Sequence, residues 1–125
     1  VVILVVDDSP DIITLLEAMI VRIAGGNCEV FSANNGVDAL SLMNRMVVTP
    51  DLIISNIRMP GMDGISFIRN VRGNHLWGSL PIVMMSALFS DAIRDDALSC
   101  GVAGFLNKPF SFQDVESLLY SFAFH

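Results

Sequence analysis

The sequence predicts an α/β domain, a doubly wound parallel sheet of five strands with five helices, on three observations. Short runs rich in Val, Ile, Leu and Met recur along the chain. Each is followed by apolar residues at helical spacing, and serine and proline mark the boundaries between the two patterns. The runs are Val2 to Val6, Glu29 to Ala33, Leu52 to Ser55, Ile82 to Ser86 and Gly104 to Asn107. Near-continuous apolarity is what a strand covered on both faces requires. Strict alternation of strand and helix then implies right-handed crossovers that place helices on both sides of the sheet.

The first helix carries Ile12, Leu15, Leu16, Met19, Ile20 and Ile23, and begins at Ser9-Pro10, an N-cap followed by proline at the first helical position. Val37, Leu40, Leu42, Met43 and Val47 mark the second helix, Ile65 to Val71 the third, and Ser90 to Cys100 the fourth. In the fifth, Phe112, Val115, Leu118, Leu119 and Phe122 repeat at the spacing of one buried face after the cap Ser111. Pro50 and Pro81 separate helices from the strands that follow. No repeat, low-complexity tract or linker interrupts the pattern, so residues 1–125 read as a single domain.

Composition narrows the function. The longest apolar stretch, Val1 to Val6, is far below the roughly 20 residues of a membrane-spanning helix. No secretory signal is legible, so the reading is a soluble cytoplasmic protein, and the absent initiator Met reads as a trimmed N-terminus. A net charge of −6 argues against direct nucleic-acid binding. Cys28 and Cys100, far apart and without His partners, read as reduced, mostly buried thiols rather than a zinc site or disulfide. Met59, Met62, Met84 and Met85 read as packing, and no role is assigned to His75 or Trp77 in the loop before the fourth strand.

In an open parallel sheet, ligands gather beyond the carboxyl ends of the strands. That geometry collects Asp7 and Asp8, then Asn56 and Arg58, then Ser86 and Ala87, and finally Lys108 with Pro109. Adjacent carboxylates repel unless something compensates, so Asp7 and Asp8 suggest a hard divalent ion, for which magnesium is suited. The alternative is that Asp8 or Asp11 merely favours the positive start of the first helix. Lys108 is the sole lysine of the chain. At the end of the last strand it would aim a cation at the acidic cleft, where it and the Ser86 hydroxyl suit phosphoryl oxygens.

Asp7-Asp8, Ile57-Arg58-Met59-Pro60-Gly61-Met62-Asp63-Gly64, Ser86-Ala87 and the run Gly101 to Phe110 together resemble the receiver domains of two-component response regulators. The resemblance covers essentially the whole chain and implies the flavodoxin-like strand order 2-1-3-4-5. It implies that Asp7 and Asp8 hold Mg2+ with the backbone carbonyl of Arg58, that Ser86 and Lys108 contact a phosphoryl group, and that Phe105, with Ser86, belongs to the switch. It also places Lys108-Pro109 where the family often has a cis peptide. The implied partners are a sensor histidine kinase or phosphotransfer protein, and an effector domain or other partner on the face of helix 4, strand 5 and helix 5. Leu88, Phe89, Tyr120 and Phe124 lie near that face, where a partner or a second copy in a homodimer could cover them.

One position departs from the resemblance. Where the family places its phosphate-accepting aspartate, this chain has Asn56. A carboxamide is neutral and its nitrogen lone pair is delocalised, so Asn56 is not expected to form an acyl phosphate, and self-phosphorylation should be lost. The pocket also has one negative charge fewer, which weakens magnesium, with the Asn56 carbonyl oxygen left as a poor metal ligand. Lys108 is then expected to pair with Asp7 or Asp8. Ser55 should point to the opposite face and Asp63 should cap the third helix, so neither replaces the acceptor. The leading reading is a non-enzymatic receiver in phosphorelay signalling; the alternative is a pseudo-receiver that acts as a protein-interaction module without phosphorylation. A phosphatase with an Asp-x-Asp nucleophile motif and a flavin-binding protein fit less well, because Val6-Asp7-Asp8-Ser9-Pro10 provides neither motif nor phosphate loop.

Overall fold

A computed structural model of the chain describes residues 1–59 and 61–124; Pro60, part of the motif quoted above, and His125 lie outside the described residues. The strands are β1 (Val2–Val6), β2 (Glu29–Ala33), β3 (Leu52–Asn56), β4 (Ile82–Ser86) and β5 (Gly104–Asn107). The helices are α1 (Pro10–Ala24), α2 (Gly36–Arg45), α3 (Gly64–Gly73), α4 (Asp91–Ser99) and α5 (Phe112–Phe122). All strands run parallel in the order β2-β1-β3-β4-β5, as the sequence predicts. β3 extends one residue beyond the expected Ser55, because Asn56 stays in register with Met85 of β4.

Because side chains alternate across a strand, each apolar run feeds two cores. Ile3, Val5, Leu52, Ile54, Val83, Met85 and Leu106 face α1 and α5, meeting Leu16, Ile20, Val115 and Leu119. Leu4, Val6, Ile53, Ile82 and Met84 face the opposite side, meeting Met43 of α2, Phe67 and Val71 of α3, and Ala97 of α4. Burying a side chain of this size contributes about 1.5–3 kcal/mol, which is why both faces must be covered.

Each helix begins at a side-chain cap. Ser9, Asn35, Asp63, Ser90 and Ser111 accept hydrogen bonds from Ile12, Asp38, Ser66, Ile93 and Asp114, and Asp114 returns a bond to the Ser111 N–H. Asp63 thus has the capping role expected of it. Elsewhere the apolar pattern misleads. α2 stops at Arg45, Val47 is 99% exposed, and the buried face uses Gly36, Ala39 and Met43 rather than the expected Val37. Leu15 is also exposed, one position off the buried stripe of Ile13, Leu16 and Ile20. Cys28 and Cys100 are free thiols, half-buried rather than mostly buried. Trp77 is in the core, packed in the cluster beneath α3 and α4.

Two local features set the ends of the sheet. At the carboxyl end, Gly64 packs so tightly that a Cβ there would lie 2.6 Å from the Asn56 carbonyl oxygen and 2.7 Å from Ile57 Cα. Its N–H donates to the Ile57 carbonyl at 2.8 Å, which seats the start of α3 on the end of β3. At the opposite end, Arg72 Nη1 donates to the carbonyls of Gly78 and Leu80, and Nη2 to that of Gly101. Gly101 has φ +85, a left-handed conformation that glycine adopts without strain. Burial pushes the Arg72 guanidinium below its ordinary pKa.

Candidate functional site

The carboxyl ends of β1, β3, β4 and β5 bring Asp7, Asp8, Asn56, Ser86 and Lys108 around one cleft. Asp7 is fully buried and has two donors: the Ser9 N–H at 2.9 Å on Oδ1, and Lys108 Nζ at 2.8 Å on Oδ2. The first bond holds the carboxylate against the start of α1, where the helix end favours negative charge. The second is the one ion pair among the described residues, and it fulfils the expectation that Lys108 turns to an aspartate.

Asn56 stands between these groups with 7% of its surface exposed. Its Oδ1 accepts from Lys108 Nζ at 3.2 Å, while Nδ2 donates to the Arg58 carbonyl at 2.7 Å and to Asp8 Oδ1 at 3.3 Å. The assignment of oxygen and nitrogen follows from the partners. An ammonium can only donate, and a carboxylate and a carbonyl can only accept.

Ser86 belongs to the same cleft, but its hydroxyl is turned to its own loop. Oγ donates to the Leu88 carbonyl at 2.9 Å and accepts from the Leu88 N–H at 3.1 Å. The Lys108 N–H donates to the Ser86 carbonyl at 2.9 Å, and the Lys108-Pro109 peptide is cis. Asn56, Arg58, Ser86, Ala87, Leu88 and Lys108 line a cavity of about 250 Å³. Ser55 is buried and donates to the Asn56 carbonyl at 3.1 Å, away from this opening.

Asp7, Asp8 and the Arg58 carbonyl are oxygen ligands of the kind magnesium prefers. As arranged, they do not fit a cation. Both Asp7 oxygens, Asp8 Oδ1 and the Arg58 carbonyl each already accept a hydrogen bond, and the Asn56 amide directs its hydrogens where a metal would need lone pairs. Among the described residues, no three His, Cys, Asp or Glu side chains cluster as a metal site.

Phe105 lies on β5, beside the cleft, half-buried, with its ring edge-on to Phe89 at 5.1 Å. Arg94 of α4 places its guanidinium over both rings, 4.8 Å from Phe105 and 4.9 Å from Phe89. Sequence reasoning missed this cluster. Arg94 sits among Asp91, Asp95 and Asp96, so a reader of charge alone would pair it with an aspartate. Leu88 and Tyr120 are exposed, and Tyr120 packs edge-on against the half-buried Phe124; these two line a hollow with Val1, Ile23 and Ala24 beside α1, apart from Leu88.

A family model described as the response regulator receiver domain matches residues 3–120. The DNA-binding transcriptional regulator NtrC of Klebsiella pneumoniae is 34% identical over 116 residues, which are 92% of this chain and 23% of that regulator. The chain thus spans under a quarter of that relative's length. Among solved structures, the chemotaxis protein CheY4 of Vibrio cholerae is 30% identical with a TM-score of 0.87, covering 97% of each chain. The receiver domain of the sensor histidine kinase PA1611 of Pseudomonas aeruginosa PAO1 is 27% identical with a TM-score of 0.84, covering 97% of this chain and 95% of that one. That structure is described with a magnesium ion coordinated in its active site cleft. No helix among the described residues of the present chain is long and apolar enough to cross a membrane.

Proposed function

The chain belongs to the response regulator receiver domain family, and on that premise we propose that it is a cytoplasmic phosphorelay signalling module whose acceptor position is held by Asn56. In this reading Asp7, Asp8 and the Arg58 carbonyl stand at the family's magnesium positions, which the Asn56 amide ties up with its own hydrogen bonds in this chain, and Ser86 and Lys108 are the phosphoryl-contacting groups. Phe105 is the switch aromatic. The observation that carries it is the position of Asn56, bonded at once to Lys108, Asp8 and the Arg58 carbonyl. An aspartate there would lie among every group that phosphoryl transfer requires, whereas the amide offers no nucleophile. Magnesium is held more weakly than three carboxylates would hold it.

A second reading, a module that binds partners without being phosphorylated, is favoured by the satisfied state of the cleft. No buried side-chain nitrogen or oxygen among the described residues lacks a hydrogen bond. Signalling then passes through surfaces: a histidine kinase or phosphotransfer protein over the cleft, and an effector, another partner or a second copy of the chain on the α4, β5 and α5 face.

The test is incubation of the native chain and Asn56→Asp with a small acyl phosphate donor, followed by intact-mass measurement. Asn56→Asp is expected to gain one hydroxylamine-labile phosphoryl group and the native chain none. A phosphorylated native chain, or an Asn56→Asp chain that stays unmodified, would overturn the assignment of this position.

A further inference from the structure

Charge alone does not describe what Asn56 does in the cleft. A cation at this site would stabilise Asp8 and the Arg58 carbonyl by presenting positive charge to their lone pairs. The two hydrogens on Asn56 Nδ2 already present positive charge to those same acceptors, at 3.3 Å and 2.7 Å. Lys108 covers the remaining side, bridging Asp7 Oδ2 and Asn56 Oδ1. Turning the amide over would set N–H against ammonium and oxygen against carboxylate and carbonyl, so one orientation is strongly preferred.

We propose that the Asn56 carboxamide stands in for the divalent cation, so that the cleft is assembled and held in one state without metal. It rests on the family reading of the site and adds a role that loss of a nucleophile does not imply. The amide is a structural donor whose protons hold Asp8 and the β3–α3 loop together. For magnesium to take the Arg58 carbonyl and Asp8 Oδ1 in place of the amide hydrogens, the amide must turn away, which breaks the bonds to Arg58, Asp8 and Lys108 together. The position of the loop after β3 is thereby made independent of cation concentration.

Thermal melts of the native chain, Asn56→Asp and Asn56→Ala, each in chelator and in excess magnesium chloride, test the proposal. The native melting temperature is expected to be the same in both conditions. Asn56→Asp, with a third carboxylate and no donor, is expected to melt roughly 3–6 °C lower in chelator and to recover with magnesium. Asn56→Ala adds no charge but removes the donor, and it too is expected to melt below the native chain in chelator. Native stabilisation by magnesium equal to that of Asn56→Asp would overturn the proposal, as would an Asn56→Ala chain that melts with the native one.

Should either variant fail to fold, the native chain alone decides by NMR. The Asn56 side-chain N–H2 pair is expected to be protected from solvent exchange and unmoved by magnesium chloride. A freely exchanging pair, or one displaced by magnesium chloride, would overturn the proposal. These outcomes differ from failure of the family reading, which is seen in phosphorylation and not in metal-free stability.

Discussion

Two cations at opposite ends of the sheet show two ways of using buried charge. At the carboxyl end, Lys108 meets the fully buried carboxylate of Asp7 and shares the Asn56 oxygen. At the amino end, Arg72 meets no carboxylate and instead gathers the carbonyls of Gly78, Leu80 and Gly101. The Arg72 fork stitches the loop after α3 to the turn after α4, and its planar geometry matches several fixed acceptors at once. An ammonium on a flexible stem is suited to a different task, because it can be exchanged between neighbouring oxygens when the charge in a cleft changes. The difference separates a staple from a movable counter-charge.

The largest expected effect breaks the mobile side. Lys108→Met leaves Asp7 buried without its counter-ion, and removing one partner of a buried pair costs about 3–5 kcal/mol. Urea denaturation should show that loss, and adding Asp7→Asn to Lys108→Met should recover most of it, since no buried charge then remains. A neutral Lys108→Met would place the pair with exposed surface ion pairs, which contribute little, and would end the contrast.

A smaller effect is expected at the staple. Arg72→Met removes a charged donor from partly exposed carbonyls, a loss of roughly 2–3 kcal/mol. Arg72→Lys should recover little of it, because one ammonium cannot span both loops. Amide exchange in the 74–81 loop and around Gly101 should accelerate more than exchange in β1. Full rescue by lysine would mean that only charge mattered there and that the fork geometry did not.

The fold was legible because its signals are repetitive: apolar runs of strand length, helical spacing after each, and capping side chains at Ser9, Asp63 and Ser111. Val47 was misread because a single apolar residue beyond a helix carries no period to say which way it faces, and Trp77, alone in the loop before β4, was given no role for the same reason. The members of the cleft were also legible, since the strand ends of a parallel sheet have few residues and Lys108 has no competitor. Their bonding was not. Whether Asn56 directs its oxygen or its nitrogen at Arg58 depends on where Lys108 arrives from β5, and no local pattern encodes that. Arg94 was illegible because its rings come from separate segments, Phe89 before α4 and Phe105 on β5. Arg72 was illegible because its partners are backbone oxygens, which leave no mark in a sequence.

The last and smallest effect concerns whether the two ends communicate. Lys108 and Arg72 share no hydrogen-bond partner, and β4 with its flanking residues separates them. Sites so disposed usually add within about 0.3–0.5 kcal/mol. The double variant Arg72→Met with Lys108→Met should therefore lose the sum of the single losses, read from urea midpoints at unchanged slope. Coupling well above that range would mean that β4 and β5 transmit a change in the cleft to the turn after α4. The staple would then belong to the signalling apparatus, because loosening it would alter how firmly Lys108 holds Asp7.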